Sequence, residues 1–360
     1  MSPARRLMRM LGVLALLSAL AAGALAAWGY TRYSAFADSA VVSAHADADG
    51  DTGGEVATLR VFRGDSFARV LARLREAGID GGHDIEWQLL ARQVGAAGRI
   101  QVGEYALAPG ATPRSLLEAM RDGRIVSHRF TIVEGWNIRE LRAALARATP
   151  LGQTIAELDD AALMRALGRE GVHPEGRFLP ETYAYTGADS DLDLLRRANA
   201  DLERALDAAW EARAPDLPLA DREQALVLAS IVEKETGIAG ERPEIAGVFT
   251  RRLRIGMRLQ TDPTVIYGMG ASYDGNIRRA DLVADTPYNT YTRDGLPPTP
   301  IAMAGAAALR AATHPADGDT LYFVAVGDGS GRHVFSRTYA EHNVAVREYV
   351  RRYRAQFGPR

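Results

Sequence analysis

The stretch Ala225-Leu226-Val227-Leu228-Ala229-Ser230-Ile231-Val232-Glu233-Lys234-Glu235-Thr236 joins a long apolar run to two acids spaced two residues apart. On a helix of about 100° per residue, Val227, Leu228, Ile231 and Val232 gather on one side, and Glu235 falls near the middle of it. Glu233 points almost the opposite way and is expected at the surface. A carboxyl drawn into apolar surroundings is harder to ionise, so its pKa rises. A general acid that must hold its proton near neutral pH needs that shift, and the acid of a glycosidase is the standard case. The bland alternative is that Glu235 lies just past the buried stretch and pairs with Lys234 or Arg242, as acids at helix ends commonly do.

Other constellations point away from competing chemistry. The chain has 0 cysteines, which excludes a disulfide framework, thiolate metal sites and a cysteine nucleophile. His314, His333 and His342 show no metal-ligand spacing and HExxH is absent, so no metal is expected. Neither G-x-S-x-G nor S-x-x-K occurs, which leaves serine chemistry without a nucleophile motif. Gly327-Asp328-Gly329-Ser330-Gly331 joins two apolar runs and reads as a hairpin turn; a phosphate loop would lead into a helix. Arg251, Arg252, Arg254 and Arg258 read as a solvated face. A formal charge of -2 argues against binding nucleic acid through its phosphates.

Longer-range patterning supplies the elements that must position these residues. Val56 to Phe62 alternates as a strand does, Ser66 caps a helix with Val70, Leu71 and Leu74 on one face, and a second helix runs from Asp84 to Val94. Gly103 to Leu107 reads as a strand, and Thr112-Pro113 opens a helix that Gly123 ends. Arg124 to Val133 should be a strand leading through Trp136 into a helix to about Ala146. Later helices are expected over about Asp221–Thr236 and Arg242–Ile255, followed by a hairpin over Leu321–Val326 and Arg332–Ser336. The fold class is α+β.

From Met10 to Tyr30 the chain carries no charge, a length of about 20 residues that can cross the hydrocarbon core as a helix. Arg5, Arg6 and Arg9 precede this run and Arg32 alone follows closely, which sets the N-terminus in the cytoplasm and the bulk outside. A cleaved signal peptide is the other reading, given Ala24 and Ala26, but the apolar run is longer than the usual core of one. Asp38 to Gly54 has the composition of a flexible tether. Asp47, Asp49 and Asp51 hint at a calcium loop, yet Thr52 stands where its glycine should be. The expected organisation is a cytoplasmic stretch 1–9, a transmembrane helix 10–30, a linker 31–54, a small unit 55–124, a junction 125–150 and a catalytic domain 151–360.

The run Ile231 to Thr236, followed by Arg251-Arg252-Leu253-Arg254-Ile255-Gly256-Met257-Arg258-Leu259-Gln260-Thr261-Asp262-Pro263-Thr264 and Tyr288-Asn289-Thr290-Tyr291, resembles the endolytic murein transglycosylase (YceG-like) family. Gly103-Glu104-Tyr105, Glu134-Gly135 and Glu175-Gly176-Arg177-Phe178-Leu179-Pro180 extend the resemblance along the chain. It implies a LysM-like unit beside the membrane and a catalytic domain beyond it, anchored in the inner (plasma) membrane with the bulk in the periplasm. It also implies a lytic transglycosylase that cleaves peptidoglycan strands and leaves 1,6-anhydromuramic ends, with no cofactor. Lytic transglycosylases carry a catalytic glutamate followed by Ser or Thr, which Glu235-Thr236 matches. Their Tyr-Asn pair in the cleft is resembled by Tyr288-Asn289, although asparagine also favours plain turns. Gln260, Thr261 and Asp262 are then expected at the cleft edge, although Asp262 before Pro263 could equally start a helix. Peptidoglycan synthases are the implied partners. Two rivals stay open: a hydrolase pairing Glu235 with Asp262 or Glu181, and a glycan-binding scaffold without activity.

Overall fold

The structure, a computed structural model, describes residues 3–41 and 57–358, which fall into two compact units. The first covers residues up to His128 together with 186–188. It begins with α1 (Pro3–Asp38), continues with β1 (Thr58–Val61), α2 (Phe67–Glu76), α3 (Asp84–Gln93) and β2 (Gly103–Ala106), and closes with α4 (Pro113–Asp122). β1 and β2 pair antiparallel with Leu59 opposite Tyr105. The alternation of β1 buries Leu59 and Val61, and helix periodicity brings Val70, Leu71 and Leu74 of α2 into the same core. Gly123 ends α4 in the left-handed conformation, as its place after the last apolar turn predicted.

The first helix departs from expectation. The helix does not stop where its apolar run does: α1 continues past Tyr30 to Asp38, so residues 31–38, expected in the linker, form its last two turns. The physical reason is packing. Phe36 and Ala37 are buried, and the Phe36 ring meets Trp87 edge-on with centroids 5.4 Å apart. Asp38 pairs with Arg114 at 2.7 Å. The remainder of the expected tether, including Asp47, Asp49 and Asp51, lies outside the described residues.

The second unit has two cores. One gathers β3 (His128–Thr131), α5 (Ile138–Leu145), α6 (Asp160–Ala166), β4 (Thr182–Tyr185) and α7 (Asp191–Glu211), with β3 and β4 paired. Residues 125–150, expected as a junction, are thus partly a wall of this unit, because Phe130, Ile132, Ile138, Leu141 and Leu145 are all core residues.

The other core surrounds α8 (Arg222–Glu235) with α9 (Arg242–Arg254), α10 (Asp262–Met269), α11 (Arg279–Val283) and α12 (Ala306–Thr313) nearby. It ends in the hairpin β5 (Tyr322–Ala325) and β6 (His333–Ser336), followed by α13 (Tyr339–Phe357). α8 is buried on every face from Ala225 to Glu233, which small residues make possible: Ala225 and Ala229 share a core with Ala308, Ala311 and Ala312 of α12. Glu233 is therefore not the surface acid its helix position suggested. It is 9% exposed, pairs with Arg242 at 3.0 Å and accepts a bond from the Gly305 N–H at 2.9 Å.

Candidate active site

α8 carries Glu235 to the edge of a cavity. Asp221 caps the helix start by accepting from the Gln224 N–H at 2.9 Å. At the other end Thr236 turns extended, with φ at -147°, so Glu235 is the last helical residue. The Thr236 hydroxyl accepts from the Ile238 N–H at 3.0 Å and lies within reach of Glu241, which fixes the turn behind Glu235.

Glu235 opens onto a cavity of about 390 Å³. Its walls bring Arg252, Gln260, Thr261, Asp262 and Tyr291 together with Tyr322, Tyr339 and His342. The mixture of carboxyl, guanidinium, amide, hydroxyl and ring faces suits a sugar chain, whose hydroxyls need partners and whose ring faces stack on aromatics. A larger hollow of about 710 Å³ lies between the β5–β6 hairpin and α13. Its acids, Glu341 and Glu348, are hydrogen-bonded to backbone N–H groups and to arginines respectively and are held below the usual carboxylate range, which unfits them as proton donors.

The turn before α10 aims its side chains by backbone geometry. Gln260 takes φ of 48°, in the left-handed region that non-glycine residues rarely occupy. The Gln260 N–H donates to the Thr290 carbonyl and the Thr261 N–H to the Thr290 hydroxyl, each at 3.1 Å. So held, the Thr261 hydroxyl donates to Glu235. Thr261 is the N-cap residue of α10, yet its side chain makes no capping bond. A lost cap costs a helix about 1 kcal/mol, and here the hydroxyl has been given to the carboxylate instead. Tyr291 donates to Asp262 at 2.5 Å across the same cavity.

Electrostatics follow from this surround. Burial raises the Glu235 pKa most, Asp262 adds to the rise, and the Thr261 bond and Arg252 oppose it; the balance is a carboxyl pushed up to about 7. Part of Glu235 remains reachable from the cavity even though dense packing strips most water from its carboxyl. Such a group is poised to give and to take a proton at neutral pH. Tyr291 is pushed up by burial and by Asp262, which keeps it a neutral phenol.

Of the residues singled out in the sequence, Glu235, Gln260, Thr261 and Asp262 meet at one cavity, while Tyr288 and Asn289 do not line it. Asn289 is 1% exposed; its amide donates to the carbonyls of Asp281, Leu282 and Ala284, and its oxygen accepts from the Tyr291 N–H. This shapes the loop that presents Tyr291. Tyr288 packs edge-on against Tyr267 with centroids 4.8 Å apart and bonds the Thr299 hydroxyl at 2.9 Å. Glu181, weighed as a second acid, is exposed and outside the cavity.

Arg252 is, with Tyr291, a cavity residue that sequence reasoning did not single out. Expected on a solvated face, it is 6% exposed. It donates to the Leu321 carbonyl at 2.7 Å and to the Leu259 carbonyl, and its guanidinium lies 5.3 Å from the centre of the Tyr322 ring. Its neighbour Arg251 is likewise spent on the carbonyls of Ala316 and Thr320. No carboxylate within the described residues forms an ion pair with Arg252, so the nearby Glu235 meets an uncompensated positive charge. Only the apolar spacing of Val248, Phe249 and Leu253 around it could have hinted at an inward direction.

A lone carboxylic acid poised near neutrality, delivered by a buried helix to an open polar cavity, is the equipment of an acid–base catalyst. The chain belongs to the YceG-like family, whose profile matches residues 59–348. It is 33% identical over 281 residues to an endolytic murein transglycosylase of Bacillus subtilis, covering 73% of this chain and 77% of that protein. It is 30% identical over 182 residues to an endolytic murein transglycosylase of Streptococcus pneumoniae, covering 49% of this chain and 32% of that one. A crystal structure of a YceG-like protein from Listeria monocytogenes aligns with TM-score 0.48 at 26% identity, over 81% of this chain and 99% of that one.

Proposed function

We propose that this protein is a membrane-anchored lytic transglycosylase that cuts peptidoglycan glycan strands internally, with Glu235 as its acid and base. The observation that carries the reading is Glu235 itself, a carboxyl pushed up to about 7 where it faces the cavity. Protonated Glu235 donates to the oxygen linking N-acetylmuramic acid to N-acetylglucosamine as the bond to the muramyl anomeric carbon breaks. The carboxylate then takes the proton of the muramyl C6 hydroxyl while that oxygen attacks the anomeric carbon. One proton is given and one recovered, and the product is a 1,6-anhydromuramyl end. Because the nucleophile belongs to the substrate, a second catalytic carboxylate is not required. Thr261 orients Glu235, and Arg252 favours the carboxylate after the first transfer. Gln260, Asp262 and Tyr291 bind the sugar. The names of the relatives support this substrate and bond.

α1 is the membrane span: the most apolar 18-residue window within Met10–Asp38 has a mean hydropathy of 2.2, and none of that window is buried by protein. The order β1–α2–α3–β2 supports reading the first unit as LysM-like. Mass spectrometry of muropeptides released from purified sacculi tests the chemistry. Anhydromuramic ends that vanish with Glu235→Gln are expected. Reducing muramic ends would instead favour hydrolysis with Asp262, which lines the same cavity, and no cleavage by the wild-type chain would favour a scaffold.

A further inference from the structure

The first unit presents an apolar surface that its own core does not use. α3 buries Trp87, Leu90 and Ala91, while Ile85 is 66% exposed and Leu89 48% exposed on the opposite side. Positions 85, 89 and 92, spaced by four and three, share one helical face, and Arg92 is exposed there too. Scattered apolar residues need no explanation. An aligned pair on the outer face of a helix that touches α1 is a different matter.

Two side-chain contacts fix how α3 meets α1. Arg32 reaches Glu86 at 3.9 Å, and the Tyr33 hydroxyl donates to Gln93. Arg32 and Tyr33 are successive residues of α1, about 1.5 Å apart in rise, whereas Glu86 and Gln93 lie about 10 Å apart along α3. Helices joined in this way cross; they do not run side by side. The core face of α3 looks toward Phe36, which is one turn of α1 beyond Arg32 on the side away from the apolar span. The opposite face, with Ile85, Leu89 and Arg92, therefore looks back along α1 toward Trp28 and Tyr30, both largely exposed.

We propose that the outer face of α3 rests on the lipid headgroup layer of the membrane that α1 spans. The inference rests on reading α1 as a transmembrane helix. Tyr30 is the last aromatic residue of the uncharged run, and Arg32, which fixes the level of α3, lies only about 3 Å of rise beyond it. That is headgroup depth, where Ile85 and Leu89 shed water and Arg92 meets lipid phosphate. α3 then acts as an interfacial helix lying in the bilayer plane, and the first unit is held flush against the membrane in one orientation.

The absence of cysteine allows a direct test. Ile85→Cys, Leu89→Cys and Ser115→Cys are each labelled with an environment-sensitive NBD fluorophore in the full-length chain. The labelled chains are reconstituted into phosphatidylethanolamine–phosphatidylglycerol vesicles with or without lipid bearing a nitroxide near the headgroup. Ser115 is exposed in the first turn of α4, where Arg114 reaches Asp38, and so lies about 12 Å of rise beyond Tyr30. Blue-shifted emission, and quenching at positions 85 and 89 at least about threefold that at 115, is the expected result for an interfacial helix. A chain that floats with the vesicles but shows equal quenching at all three positions overturns the proposal and leaves the anchor standing. A chain that fails to float overturns the anchor, and the proposal with it.

Discussion

Glu233 and Glu235 leave the last turn of α8 two residues apart and enter opposite surroundings. Glu233 meets Arg242, itself within 3.5 Å of Glu134, and the N–H of Gly305. Every charge on that side has a counter-charge or a hydrogen bond, so it binds the helix end to α9 and to the chain before α12. Glu235 meets one hydroxyl, an acid at Asp262, and a guanidinium whose bonds go to backbone carbonyls. Glu233 is buried and Glu235 partly so. What separates the two acids is the count of compensating groups around each.

Replacing Glu235 by Gln should have the largest effect on turnover. Loss of a general acid–base group costs about 10²–10⁴-fold, to be read as the rate of anhydromuropeptide release. The same variant should melt no lower than wild type. With this carboxyl raised from 4.5 to about 7, the fold loses stability as pH rises from the unfolded value and levels off above 7, a penalty of roughly 3 kcal/mol that glutamine removes.

Glu233→Ala should do the reverse. Leaving Arg242 buried with only Glu134 beside it should cost about 3 kcal/mol, seen as a lower denaturation midpoint, while the enzyme that stays folded keeps its turnover. A drop in turnover at full folding would erase the contrast between the two acids.

The pH profile sharpens the contrast further. Because the resting enzyme must hold the proton, kcat/KM should fall as pH rises through about 7, where Glu235 ionises. Thr261→Val and Arg252→Gln each remove an influence that lowers this pKa, so in each the alkaline limb should move to higher pH, by up to about one pH unit. Thr261→Ser should restore the wild-type limb.

Glu175 should give the smallest effect. It is completely buried, accepts from the N–H groups of Ile138 and Gly176 and from Tyr267, and is also pushed up to about 7, but it does not line the Glu235 cavity. Glu175→Gln should leave turnover unchanged and flatten the loss of stability between about pH 4.3 and 7 that burial of this group imposes, measured by thermal melts across that range.

The sequence made the helices and strands readable where one face carried the pattern, as in α2, α4 and the β5–β6 hairpin. α8 was harder. Its apolar residues go all round, so a wheel drawn from the largest ones placed Glu235 well but sent Glu233 outward, when the alanines opposite were buried as well. Gln260, Thr261 and Asp262 were legible because hydrogen-bonding side chains crowd into three positions. Arg252 was not, since a basic run on a helix looks the same whether its guanidinium groups meet water or backbone carbonyls from residues about 70 positions away. Asn289 showed the converse: its side chain bonds the backbone of its own loop and does not line the Glu235 cavity. The end of α1 was misplaced because hydropathy reports where a span can stop, whereas Phe36 and Ala37 are kept helical by partners far along the chain.

That continuity of α1 bears on how the protein could be shed or shortened. A protease cutting anywhere in residues 42–56 would nick the chain without freeing it, for Phe36 would still be lodged against Trp87 and Asp38 still gripped by Arg114. Conversely, a fragment starting after that segment would leave Trp87 and Gly82 without the ring that covers them, so its melting point would understate that of the chain that keeps α1.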